Sequence, residues 1–147
     1  MDNLEIPATL GEAIATEPMW LQAWVMVLVI AQLGAVLFIV GRDNGNWIIR
    51  KECLAIIPGF FVAAMILNLL YAQFGYVRLL GLAHVIGWSG PFIWVLMRRK
   101  IIGFASVYGK YIHFYLLISG LSLIIDSLDV VRYIVGDGDL FMRWGLL

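Results

Sequence analysis

Four continuously apolar stretches, at about residues 19–40, 53–72, 79–97 and 111–135, set what this chain can fold into. A helix needs about 20 apolar residues to cross the hydrocarbon core of a bilayer. The first three stretches meet that length with no charge in the first and few polar groups in the others. The fourth is apolar only from Tyr111 to Ile125 and then carries charges to Val135. Its apolar part is too short to span, so the charged part must enter the membrane or its interface. Strands of a transmembrane barrel would alternate apolar and polar residues over about ten positions, which these runs do not do.

Composition agrees. Of 147 residues, 63% are hydrophobic and 14% charged, whereas a soluble domain is nearer half apolar and a quarter charged. So few charges would not cover that much apolar surface in water. The expected fold is therefore all-α: a polytopic membrane protein whose four transmembrane helices form one bundle. Residues 1–147 form one domain, with 1–18 as an outer interfacial segment and 136–147 as an outer tail. Zero net charge gives no basic signature of nucleic-acid binding. The single cysteine, Cys53, allows no intrachain disulfide and no cysteine metal cluster, and reads as a small buried hydrophobe. The acids Asp2, Glu5, Glu12 and Glu17 precede the first apolar run, unlike the basic start of a cleaved signal peptide.

Charge asymmetry predicts the orientation. Arg42, Arg50, Lys51, Arg98, Arg99, Lys100 and Lys110 make seven of the ten basic residues and fall in the first and third connections. The positive-inside rule puts those connections in the cytoplasm and both termini outside. Trp20, Trp24 and Trp47 near span ends read as interfacial anchors. Residues 4–18 read as an amphipathic segment on the outer interface. In the first connection, GRDNGNW, a cap from Asp43, Asn44 or Asn46 is expected to start the second helix, with NWIIRKE forming its first turns. Pro58 and Pro91 are expected to kink their helices.

Polar residues recur at helical spacing inside the spans. Tyr115, Ser119, Ser122, Asp126 and Asp129 are separated by four, three, four and three residues and so share one face of the fourth helix. In the third span, Gly81, His84, Trp88 and Pro91 share a face in the same way. Asn68 is expected to form an interhelical hydrogen bond from the second span. With a rise of about 1.5 Å per residue, His84 and Asp126 lie at similar depth, and Arg78 is level with Asp129 and Arg132. An outer-leaflet cluster of Arg78, His84, Asp126, Asp129 and Arg132 is expected. Ionisable groups at membrane depth are costly and mark candidate functional sites, although paired charges near a helix end also serve only to fix packing.

Three functions follow as expectations. The polar face suits ion or proton conduction, by a homo-oligomer because four helices enclose little volume. Small size and the lack of a soluble domain suit an accessory or assembly subunit packed against a larger membrane complex. The third is a cofactor binder, with His84 as ligand. The sequence assigns no cofactor outright: His84 and His113 lie toward opposite faces, so a haem would require His84 from two copies. No zinc spacing, phosphate-binding glycine loop or nucleophile–histidine pair at matched depth is present, so an enzyme is not expected. GDGD, from Gly136, is too short for a calcium loop.

Overall fold

Where each helix starts and stops follows from local chemistry in the computed structural model, which describes residues 7–137. A short helix α1 (Leu10–Ala15) opens on a capping box, in which Thr9 accepts from the Glu12 N–H and Glu12 reaches back. Helix α2 (Met19–Leu33) begins after Pro18 and tightens into a 3-10 turn, Gly34–Phe38. Strands β1 (Val40–Asp43) and β2 (Asn46–Ile49) form an antiparallel hairpin. Helix α3 (Lys51–Phe74) ends at Gly75, whose φ of 73° breaks the helical path. A 3-10 turn, Arg78–Leu80, leads into α4 (Gly81–Ile102). Gly103, with a φ of 69°, ends α4, and Ser106 caps α5 (Val107–Ile134) by accepting from the Gly109 N–H.

The structure is mostly helical, with four helices long and apolar enough to cross a membrane: Met19–Phe38, Lys51–Phe74, Arg78–Ile102 and Val107–Ile134. They alternate in direction. α3 packs on α4, α4 on α5, and α2 closes the bundle against α5 and α3. Small residues set the closest approach. A Cβ on Gly87 would lie 2.6 Å from the Ala63 Cβ, and one on Gly59 would lie 2.8 Å from the Gly87 carbonyl oxygen. Contacts of this kind let helix backbones approach closely. The largest buried cluster joins Ala35, Cys53, Ile56, Val95, Ile112, Tyr115 and Leu116 near the hairpin end.

At the opposite end α1 docks through Ala13 onto Tyr71 and Leu80. The Tyr71 hydroxyl donates to the Pro7 carbonyl at 2.6 Å. Burial raises the Glu17 carboxyl above its ordinary range. Burial, and then the Glu17 charge, push the neighbouring Tyr76 phenol up to about 12. The amphipathic reading of the N-terminal stretch thus becomes a short helix packed on the bundle end; residues 1–6 and 138–147 lie outside the described residues.

Several sequence expectations are corrected. No Asp or Asn of the first connection caps α3; Arg50 holds that position without a side-chain hydrogen bond. Asn46–Ile49 is a strand rather than the first turns of a helix, because Asn44 and Gly45 adopt φ of 47° and 85°. Two positive φ values at a two-residue loop match the twist of a β-hairpin. Pro58 and Pro91 lie inside α3 and α4, where the sequence places them. α4 extends to Ile102 and α5 begins at Val107, so the third connection shrinks from 98–110 to 103–106.

Candidate functional site

The site is built where α4 starts against the last turns of α5. Gly81 permits this: a Cβ there would lie 3.0 Å from the Cα, Cβ and carbonyl oxygen of Asp126. One turn further along α4, His84 Nδ1 sits 2.9 Å from Asp126 Oδ2. The Ser122 hydroxyl donates to the same oxygen at 2.8 Å. With Asp126 ionised, the carboxylate accepts both bonds, so the imidazole donates from Nδ1. The imidazole stacks on Trp88, ring centres 4.1 Å apart and 18° from parallel. The His84 and Asp126 side chains are 21% and 16% exposed, so the pair is largely enclosed by protein.

Toward the bundle end, Arg78 bridges two carboxylates. Its guanidinium lies 3.0 Å from Asp129 Oδ1 and 3.1 Å from Asp137 Oδ2. Arg132 joins through Asp137 at 3.0 Å, with its side chain 56% exposed. All five expected members, Arg78, His84, Asp126, Asp129 and Arg132, therefore come to one end of the α4–α5 interface. They fall into two separate groups, His84–Asp126 and Arg78–Asp129–Asp137–Arg132, with Arg132 at the rim. Asp137, which the sequence reading left in the tail, completes the ionic part.

Tyr115, Ser119 and Ser122 are buried inside the bundle. Ser119 accepts from Gln32 Nε2 of α2 at 3.0 Å. Among the described residues, Gln32 Oε1, Tyr115 Oη and Trp88 Nε1 are buried without a hydrogen-bond partner. Buried polar atoms of this kind are usually satisfied, often by internal water. Asn68 does not join the stripe. It is exposed and donates to Ala64 O of its own helix at 2.8 Å. The reason is register: Asn68 lies five residues beyond Ala63, about 140° around a helix, and Ala63 faces α4.

At the hairpin end lies an ionic group that the sequence reading missed. Glu52, 6% exposed, accepts from Arg98 Nε at 2.5 Å and from the Tyr108 hydroxyl at 3.1 Å. The Arg50 guanidinium covers the Tyr108 ring at 4.0 Å. In the sequence, Arg50 and Arg98 enter only through the charge asymmetry that predicts orientation. The available signal was the acid Glu52 at the start of an apolar run beside basic residues. Gln32 was also legible, as an amide deep in an apolar span.

One face of α5 therefore carries Tyr108, Tyr111, Tyr115, Ser119, Ser122, Asp126 and Asp129 at spacings of three or four. At about 1.5 Å per residue this polar column runs about 30 Å, close to the hydrocarbon thickness. It turns toward the other helices of its own chain: Tyr111 donates to Ala31 O at 2.8 Å, Ser119 meets α2 and Asp126 meets α4. Among the described residues no group of three or more His, Cys, Asp and Glu side chains is placed to hold a metal ion. No family model, no curated protein and no solved structure matches this chain.

Proposed function

We propose that this chain is a multi-pass protein of a bacterial-type inner membrane that handles protons along the polar column of α5. The hairpin and the 103–106 connection face the cytoplasm and both termini face outside, following the basic residues. The observation that carries the reading is the His84–Asp126 contact, an imidazole on a carboxylate within a candidate span. Imidazole is the side chain whose charge responds nearest neutral pH. Hydroxyl and amide groups at Ser122, Ser119, Gln32 and Tyr115 continue inward from it. Gln32, Tyr115 and Ser119 are each at most 1% exposed. That packing leaves no room for a hydrated ion; a proton would pass from group to group, with internal water at the unpartnered Gln32 Oε1 and Tyr115 Oη completing the chain. The packing also moves the proposed path from between subunits to within one chain.

The test is proton flux in liposomes reconstituted with the full chain, followed by an enclosed pH-sensitive dye under an imposed potential. Wild type dissipates the gradient, whereas Asp126→Asn and His84→Gln fall to the lipid background. Equal rates for wild type and Asp126→Asn would sink the reading. A Soret band in the purified protein that disappears in His84→Ala would replace it with cofactor binding.

An accessory or assembly subunit is the competing reading. It is favoured by the outer ridge of α5, where Leu117, Ile124, Leu128 and Val131 are 69%, 62%, 60% and 57% exposed. Lipid, a second copy or a larger complex would cover that ridge. Native mass analysis after mild extraction separates these: a different protein retained in fixed ratio supports the subunit, and a homo-oligomer alone opposes it.

A further inference from the structure

We infer that the cavity beneath the β-hairpin binds the phosphodiester headgroup of an anionic phospholipid. The cavity, about 540 Å³, lies between the hairpin, the start of α3, the end of α4 and the start of α5. Four cations line it, Arg42, Arg50, Lys51 and Arg98, against two acids, Asp43 and Glu52. Glu52 is already engaged by Arg98 and Tyr108. Among the described residues, no carboxylate lies within ion-pair distance of Arg42, Arg50 or Lys51. Arg50 is nonetheless held in place, its flat face on Tyr108 and one nitrogen 3.4 Å from Phe38 O. The site therefore concentrates cationic hydrogen-bond donors, the chemistry that recognises a phosphate oxygen.

Three further observations select a lipid as the source of that phosphate. The cavity sits at the end of all four apolar helices, at headgroup depth if those helices span a bilayer. Its lining is amphipathic, since Ile49 and Ile101 share it with the cations and are 65% and 79% exposed. A free phosphate has no acyl chain to cover them. The hairpin also presents Trp47, 72% exposed, as an interfacial side chain against the guanidinium of Arg42, one of the lining cations. Basic pockets between helices on the cytoplasmic side hold anionic headgroups through the same combination. The site meets the α5 column only at Tyr108, at the opposite end from the His84–Asp126 contact that carries the proton reading, so its failure leaves that reading untouched.

The experiment is native mass spectrometry of the full chain in detergent, titrated with phosphatidylglycerol and phosphatidylcholine of identical acyl chains. Wild type retains phosphatidylglycerol in preference, by about tenfold or more, and Arg42→Gln and Lys51→Gln each cut that preference by about fivefold. Both side chains lie at the surface, so folding is preserved and is checked by circular dichroism. Lys110→Gln, exposed at the same end but outside the cavity, leaves the preference unchanged. Equal retention of the two lipids by wild type overturns the proposal, as does an undiminished preference in the Arg42→Gln/Lys51→Gln double variant. Displacement of phosphatidylglycerol by millimolar inorganic phosphate overturns it in favour of a soluble anion.

Discussion

Arg78 shows what a single charged side chain does in this bundle. It is 8% exposed and binds two carboxylates from different segments, Asp129 of α5 and Asp137 beyond it. Removing one partner of a buried ion pair leaves the other charge uncompensated and costs about 3–5 kcal/mol. The carboxylates left behind are 22% and 40% exposed and Asp137 keeps Arg132, so Arg78→Ala is expected to lose less, about 2–3 kcal/mol, in detergent-induced unfolding. Arg132→Ala, at the rim, should cost at most about 1 kcal/mol. Equal losses would mean that Arg78 is not the keystone of this end. The members of the cluster were legible because helical rise places residues of antiparallel spans at matched depth. Their division into His84–Asp126 and Arg78–Asp129–Asp137 was not, because it depends on which rotamers the neighbouring helix admits.

Between elements, the α3–α4 seam is decided by volume. Gly87 on α4 meets Ala63 of α3, whereas Gly90, also on α4, has open space where its Cβ would be. Gly87→Ala should push the helices apart and cost about 1–3 kcal/mol. Gly90→Ala should be neutral or slightly stabilising, because it removes glycine's entropic penalty in a helix. Thermal unfolding of the two variants in one detergent checks the contrast, and equal midpoints would refute it. The hairpin teaches a related lesson. Asn44-Gly45 is a strong two-residue turn signal, yet the segment also resembled a helix start, with a capping residue ahead of an apolar run. What settles it is pairing across the turn, Val40 with Ile49 and Arg42 with Trp47. Asn68 failed for the same reason: polarity identified the residue, but only the seam shows that it faces away.

For the whole molecule, the alternating helices put the basic hairpin and the 103–106 connection at one end, and α1 with the Arg78 cluster at the other. The proposed orientation predicts a labelling pattern. In a Cys53→Ser background, a membrane-impermeant maleimide should label Ala15→Cys in intact cells. It should label Ala105→Cys only after permeabilisation. The reverse pattern would invert the molecule and put the proposed phospholipid site in the outer leaflet. The two ends also differ in charge logic. Within the Arg78 cluster acids and bases pair with one another, while at the hairpin end three cations lack a carboxylate partner among the described residues.

The number of long helices, their alternation and the polar face of α5 were determined by the sequence alone. Each depends only on run length, hydropathy and the 3.6-residue period, which act along the chain. Tertiary structure decided the rest: that the α5 column turns into its own bundle, that Gln32 meets Ser119, that Asn68 faces outward, and that Glu52 pairs with Arg98 while Arg42, Arg50 and Lys51 have no carboxylate partner among the described residues. Those outcomes depend on side-chain volume and rotamer fit between segments far apart in the chain, and no local pattern encodes which of two helix faces a neighbour will cover.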